Sequence, residues 1–256
     1  MKFKKLEVLE FRNDYTVYYG MINNKSSILM ANKDLPNEID IVGDITFKNE
    51  NAYKFNQDGI YTLYYPAEQD FIDSFKCKTK IVSETYEDYK LKIEPYIDSI
   101  LESNTKWIMN ILNNKAESER VLFKNEFFVI VKNICWDSVN DFYLLVLPFE
   151  KIKNIRHLDS SHKDLLNNMK LEALKIAKTY NIDNDELYLF FHYHPSCYHM
   201  HLHVCLLNHK SIKATLYRHI LFDDIVDNID IYKKKTIKCE VSTSNPIYKL
   251  LLTSSS

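Results

Sequence analysis

The sequence predicts an α+β protein with two parts, a small β-rich N-terminal module and a larger domain of antiparallel strands and helices. Short apolar and aromatic runs, separated by breaks rich in Asn, Asp and Lys, predict small antiparallel strands between residues 15 and 65. Beyond residue 103, apolar residues at helical spacing alternate with apolar runs typical of strands. A chain of 256 residues can bury a sizeable core in one domain or in two.

The N-terminal module contains three runs that predict strands, TVYYGMI, SSILMA and IYTLYYP. The stretch 66–92 that follows is strongly charged and predicts a connecting helix or hinge. We therefore expect an N-terminal domain at residues 1–78, and the hinge with the C-terminal domain at residues 79–256.

The C-terminal domain opens with a predicted helix after Ser103 that has four apolar residues on one face: Trp107, Ile108, Ile111 and Leu112. Three strands follow, RVLF, FFVIV and FYLLVLP, and the last is apolar enough to be covered on both faces. A longer helix is predicted from about Ser160, with Ser161 and Asp164 as its capping pair. Two strands, ELYLFFHY and HMHLHVCLL, complete the domain.

Composition and charge exclude several classes of protein. With 33 basic and 35 acidic side chains, nothing predicts coating of a nucleic-acid backbone. The start MKFKKLEVLEF lacks the apolar core of a secretory signal, and no run approaches the ~20 apolar residues of a membrane span, so we expect a soluble intracellular protein. Five cysteines without a C-x-x-C pair indicate reduced thiols, and three glycines form no phosphate-cradling cluster.

Six of the nine histidines lie between residues 191 and 209, and three of them alternate: His199, His201 and His203. On a strand these three share one face at steps of about 6.8 Å, so they cannot close on a single ion with bonds of ~2.1 Å. A metal site made by two neighbours in the row remains open, as does a row of hydrogen-bonded structural histidines. Neutral imidazole is a nucleophile near pH 7 and protonated neighbours can hold anionic oxygens, which favours catalysis on phosphorus.

The segment HMHLHVC, from His199 to Cys205, resembles the histidine triad motif of nucleotide hydrolases and transferases. Its surroundings, FHYHPSCYH and WIMNILNNKAESERVLF, are similar to those of the scavenger mRNA decapping enzymes. The likeness extends to YTLYYPA, SETYEDYK and NPIYKLL, and so covers most of the chain past about residue 60. It implies a histidine triad fold for the C-terminal domain and a dimerising lid for the N-terminal domain.

The activity that this resemblance implies is hydrolysis of the m7GpppN cap dinucleotide and of short capped RNA fragments. The products are 7-methyl-GMP and a nucleoside diphosphate or a diphosphate-ended oligonucleotide, formed through a covalent nucleotidyl-histidine without metal or cofactor. The resemblance also implies a domain-swapped homodimer, no membrane partner, and a place in cytoplasm and nucleus. Two alternatives remain: a cap-binding regulator with weak or no catalysis, and a general dinucleoside polyphosphate hydrolase.

The resemblance also assigns roles in the chemistry. His201 holds the position of the nucleophile, and His199 and His203 would orient it and bind phosphate oxygens. Three further residues match positions that contact the phosphates: His192, Ser196 and Arg218.

For the cap, the resemblance implies Trp107 stacked on the methylated base, Ile134 on the opposite face and Glu117 on the guanine edge. A cationic ring over an indole gains ~0.5 to 2 kcal/mol. Taken alone, Trp107 would be a core residue at helical spacing.

One loop departs from the family pattern, because an acid and a base that contact the substrate are missing from Lys132-Asn133-Ile134-Cys135-Trp136. Lys132 is expected to restore the positive charge, and Asn133 stands in the cap-binding set. Cys197 also replaces a tyrosine of the family. A family lysine from the N-terminal domain has candidates in Lys76, Lys78 and Lys80.

Overall fold

A computed structural model describes residues 2–11, 15–32, 35–41, 46–49, 52–56, 60–69, 71–72, 78–136, 138–209, 212 and 217–252. The chain forms two compact units, residues 1–78 and 79–256, and each is described by itself. Lys76 lies outside the described residues, whereas Lys78 and Lys80 are exposed.

The N-terminal unit contains one antiparallel sheet of seven strands in the order β4-β1-β2-β3-β7-β6-β5. The strands are β1 (Lys2–Phe11), β2 (Thr16–Ile22), β3 (Lys25–Ala31), β4 (Glu38–Asp40), β5 (Thr46–Asn49), β6 (Ala52–Asn56) and β7 (Ile60–Tyr64). Alternating residues of β2 and β3 are buried on the two faces of this sheet, Tyr18 and Leu29 on one and Val17 and Ile28 on the other. The predicted β-rich module is confirmed.

The C-terminal unit is built on a six-stranded antiparallel sheet in the order β14-β12-β13-β11-β10-β9. These strands are β9 (Val121–Lys124), β10 (Phe128–Lys132), β11 (Tyr143–Pro148), β12 (Leu187–His192), β13 (Leu202–Leu206) and β14 (His219–Leu221). A separate pair joins β8 (Thr79–Glu84) to β15 (Ile237–Ser242). The helices are α1 (Glu94–Leu112), α2 (Lys163–Thr179), α3 (Phe222–Asp227), α4 (Ile229–Tyr232) and α5 (Pro246–Leu252).

Helices cover both faces of the six-stranded sheet. Leu166 and Met169 of α2 are buried in one cluster with Leu202 of β13. Ile108 and Ile111 of α1 are buried in the second cluster, with residues from the other face of β10 and β11. All six residues of β11 are buried, as its apolar run predicted. The predicted α+β class of this domain is confirmed.

Two local predictions were wrong and one was only partly right. The stretch 66–92, predicted as a connecting helix or hinge, contains strand β8 as well as a helical segment, which begins at Tyr86 and passes through a π-helical turn at Tyr89–Ile93 before α1. Trp107 does not share the buried face of α1, since it is 39% exposed. The N-terminal cap before α2 is made by Asp159 and His162 rather than by Ser161 and Asp164. Among the described residues, no helix is both long and apolar enough to cross a bilayer.

Candidate active site

The alternating histidines lie where the chain enters β13. The strand begins at Leu202, so only His203 lies on it, whereas His199 and His201 precede it; the prediction of one strand carrying all three was wrong. Alternation nevertheless holds, because Met200 and Leu202 are buried in the cluster under α2. The three histidines are 3 to 7% exposed. Burying three imidazoles requires polar partners, and the structure supplies at least one to each ring.

Backbone carbonyls fix the tautomers of the first two histidines. The Nε2–H of His199 donates to the carbonyl of Pro148 at 2.7 Å. The Nδ1–H of His201 donates to the carbonyl of His199 at 2.7 Å. A carbonyl only accepts hydrogen bonds, so the proton of His201 sits on Nδ1 and its Nε2 carries the lone pair. This tautomer leaves Nε2 of His201 as the nitrogen that could act as a nucleophile.

The third histidine links the row to the neighbouring strands. His203 Nδ1 lies 2.8 Å from the hydroxyl of Tyr143. Its ring centroid is 4.7 Å from that of His201 and 4.2 Å from that of His192. Among the described residues, its buried Nε2 has no hydrogen-bond partner. An unpaired buried nitrogen costs free energy. A phosphate oxygen would satisfy this Nε2 by accepting its hydrogen bond when the nitrogen carries a proton.

The imidazoles of this cluster are neutral at pH 7 in the substrate-free protein. Burial lowers the pKa of His201 to about 4 and, together with the charge of Arg218, lowers the pKa of His192 to about 2. Burial also lowers the pKa of His199, and holds the pKa of His203 well below its ordinary value. The expectation of protonated neighbours is therefore wrong for the free protein. Arg218 is close enough to lower three of these pKa values, and it supplies the positive charge.

The loop between His192 and the row is held by α1. Asn104 donates from Nδ2 to the carbonyl of Ser196 at 2.9 Å and accepts at Oδ1 from the backbone N–H of Tyr198 at 2.6 Å. The thiol of Cys197 donates to the carbonyl of Asn104 at 3.2 Å. Ser196 itself is exposed. These bonds hold the backbone of the loop that carries Ser196.

A buried ion network lies behind the same loop. Glu84 is fully buried, and its carboxylate contacts Arg156 Nη2 at 2.7 Å and His194 Nε2 at 2.8 Å. The hydroxyl of Tyr193 donates to the same carboxylate. Burial raises the pKa of Glu84, but the hydrogen bonds and charges of His194 and Arg156 outweigh it, so the net pKa is lowered. Glu84 is therefore ionised and anchors the backbone that precedes the row.

The residues predicted to bind the methylated guanine base form a second group of side chains. Arg120 pairs with the carboxylate of Glu117, and its Nε donates to the carbonyl of Lys132 at 2.9 Å. It thereby brings Glu117 to the loop of Asn133 and Ile134. Ile134 is 78% exposed, so its side chain is open to a ligand.

Two side chains in and near this loop are already engaged. Lys132 lies over the ring of Trp136 at 4.9 Å, and the Asn133 side chain accepts from the backbone N–H of Cys135 at 2.9 Å. The Lys132 ammonium is thus held against its own loop in the free protein. The Asn133 amide oxygen shapes the turn rather than facing an open site.

Trp107 lies near the loop that precedes the histidines, because its indole is close enough to Cys197 to affect the pKa of that thiol. Its 39% exposure shows that it is not a core residue. Trp136, in contrast, packs against Phe142 with ring centroids 4.6 Å apart. The exposed tryptophan is the one available for stacking.

A cavity of about 650 Å³ opens beside His199, lined by α1 and by Lys151, Lys153 and Tyr198. Lys153 pairs with Asp98 in its wall. Of the three alternating histidines, His199 lines this cavity. In the part of the chain that is described, no three His, Cys, Asp or Glu side chains are grouped as metal ligands.

Sequence reasoning missed Asn104, Arg120 and Tyr143. The spacing of Glu117 and Arg120, three residues apart, is a signal that could have identified their pair. The other two act through tertiary contacts that no local pattern encodes.

A family described as "Scavenger mRNA decapping enzyme C-term binding" matches residues 106–217. The m7GpppX diphosphatase of Rattus norvegicus is 29% identical over 74% of this chain and 60% of its own length. That of Schizosaccharomyces pombe is 27% identical over 89% of this chain and 85% of its own length. A crystal structure of the aprataxin ortholog Hnt3 from Schizosaccharomyces pombe is 16% identical over 47% of this chain and 71% of that one, with a TM-score of 0.35. The chain thus spans less than two thirds of the rat relative.

Proposed function

We propose that this chain is a member of the scavenger mRNA decapping enzyme family, as its similarity to that family supports, and that it hydrolyses m7GpppN cap dinucleotide and short capped RNA fragments. The products are 7-methyl-GMP and a nucleoside diphosphate or diphosphate-ended oligonucleotide. One observation carries the proposal: the hydrogen bond from His201 Nδ1 to the His199 carbonyl leaves Nε2 as the lone-pair nitrogen of a neutral ring.

In the first step, Nε2 of His201 attacks the phosphorus next to 7-methylguanosine. A P–N bond forms while the P–O bond to the next phosphate breaks, and the electron pair leaves with the nucleoside diphosphate. The charge of Arg218, which reaches His192 and His201, offsets the negative charge that develops on the phosphates. Water then attacks phosphorus, the P–N bond returns its electron pair to Nε2, and 7-methyl-GMP leaves with a proton released to solvent.

The methylated base would stack on Trp107, with Ile134 on its opposite face and Glu117 on its guanine edge. The exposure of Trp107 and Ile134 supports this role. Glu117 is already paired with Arg120, so it has to accept from guanine N1 and N2 with its remaining capacity or exchange its partner.

That pair favours a second candidate function, a dinucleoside polyphosphate hydrolase without preference for the methyl group. If Arg120 keeps the Glu117 carboxylate, the guanine edge is read less strictly while the histidine chemistry is unchanged.

The test compares hydrolysis of methylated and unmethylated cap dinucleotide by the purified protein. The proposal expects a higher kcat/KM for the methylated substrate. Equal values would favour the second candidate, and tight binding of the methylated cap without hydrolysis would favour a cap-binding regulator. The His201→Asn variant is the matched control, because it removes the nucleophile and leaves Trp107 and Arg218 in place.

We also propose, from the family resemblance, a domain-swapped homodimer that acts in cytoplasm and nucleus. Light scattering of the full chain tests the first point and imaging of a tagged chain tests the second. A monomer at micromolar concentration, or a tagged chain confined to one compartment, would contradict the corresponding proposal.

A further inference from the structure

A fifth histidine, His219, lies against the candidate site without belonging to the triad motif. It is the first residue of β14 and pairs directly with His192, the last residue of β12. Side chains opposite each other on antiparallel strands share a face, so the two rings are neighbours. Their centroids are 5.0 Å apart and their planes differ by 12°.

The two rings are part of a block of four. Phe190 stacks on His203 with centroids 4.9 Å apart and on His219 with centroids 4.0 Å apart. His192 stacks on the same two histidines, at 4.2 and 5.0 Å. His192 therefore has a stacked ring on two sides, one from β13 and one from β14, and rotation of its ring would break both contacts.

The charges around this block explain why it can stack. His192 is faced by His201 and His203 from the β13 side, and by Arg218 and His219 from the β14 side. Burial and the charge of Arg218 lower the pKa of His219 to about 4. A neutral His219 ring can stack on His192 beside Arg218. A positively charged ring in the same place would be repelled by the charge of Arg218.

We propose that His219 is a positioning residue: it clamps the His192 ring against His203 and so fixes the plane in which His192 meets the leaving phosphates. The inference rests on the proposed function for the identity of the phosphates. The ring contact between His219 and His192 that makes this clamp is present without substrate.

The kinetic test uses His219→Ala, which removes the ring, and His219→Phe, which keeps a stacking plane without nitrogens. Stacked aromatic pairs contribute enough that His219→Ala should lower kcat roughly three- to tenfold. KM should change by less, and His219→Phe should recover most of the loss. Leu221→Ala, at an exposed position of the same strand, is the matched control and should leave activity unchanged.

A double-mutant cycle separates a clamp from a general loss of structure. If His219 acts through His192, His219→Ala should cause no further loss in a His192→Ala background. Losses that multiply would overturn the proposal, and so would a His219→Phe variant as slow as His219→Ala.

A measurement without turnover keeps this inference distinct from the proposed function. Titration of the His192 ring by NMR in the free protein should show its pKa rising in His219→Ala and changing less in His219→Phe. An unchanged His192 pKa in both variants would overturn the clamp. Failure of the wild type to hydrolyse cap dinucleotide, with the titration as expected, would refute the proposed function alone.

Discussion

Replacing Trp107 with alanine is expected to weaken binding of a methylated cap more than binding of an unmethylated one. The indole is 39% exposed and so has a face open to a ligand. Only the methylated base is cationic, and a cation over an indole gains ~0.5 to 2 kcal/mol according to how far it is desolvated. A partly exposed ring places the expected difference near the middle of that range, about 1 kcal/mol, or roughly a fivefold change in the ratio of the two Kd values.

The binding assay is best made in a His201→Asn background, where neither ligand is consumed. Calorimetry with the two dinucleotides then gives both Kd values, first with Trp107 intact and then with the Trp107→Ala substitution added. Because the indole also lies close to the Cys197 thiol, Cys197→Ser serves as a control for that contact. Trp107→Phe should keep part of the preference. Equal losses of affinity for the two ligands would refute the reasoning and leave Trp107 with a structural role only.

The buried ion network, the proposed metal-free mechanism and the lid that the family resemblance implies each lead to a further prediction. Glu84→Gln leaves Arg156 and His194 buried without their anion, and should lower the free energy of unfolding at pH 7 by roughly 3 to 5 kcal/mol. Since the folded-state pKa of Glu84 is lowered from 4.5, the stabilisation is present above pH 4.5 and is lost as pH falls through the folded-state pKa. If denaturant unfolding gave the same difference in free energy of unfolding between variant and wild type at low and at neutral pH, this prediction would be contradicted. Hydrolysis should survive EDTA, and activity lost to the chelator and restored by zinc or magnesium would revive a metal mechanism. Hydrolysis should fall more steeply than affinity as the RNA attached to the cap lengthens, because a long chain obstructs closure of a lid; similar single-turnover rates for dinucleotide and long capped RNA would argue against a lid.

Much of the fold followed from local patterns. The apolar run of β11 predicted a strand covered on both faces, and β11 is buried throughout. The segment from Tyr86 was predicted only as a connecting helix or hinge, because its charged residues hid two buried ones, Tyr89 and Ile93, which fall in a π-helical turn rather than at regular helical spacing. The cap at Asp159 was missed because a 3₁₀ turn precedes α2.

The chemistry of the site was less accessible from the sequence. Alternation placed the three histidines opposite Met200 and Leu202, but the tautomer of His201 depends on the backbone carbonyl of His199 where the chain has not yet entered β13. The pairing of His192 with His219 depends on strand register, which a motif does not specify. Neutrality of the row follows from burial, which only the folded structure reveals.

The most direct test of the account is to trap the covalent intermediate. Wild-type protein mixed with methylated cap dinucleotide and quenched in alkaline denaturant should carry a 7-methylguanylyl group on His201, located by mass spectrometry of the peptide that spans residues 192–209. The adduct should be lost in acid, as a phosphoramidate is, and should be absent from His201→Asn. Hydrolysis at the wild-type rate by His201→Asn, or an adduct on His199 or His203 instead, would contradict the assignment of His201 as the nucleophile.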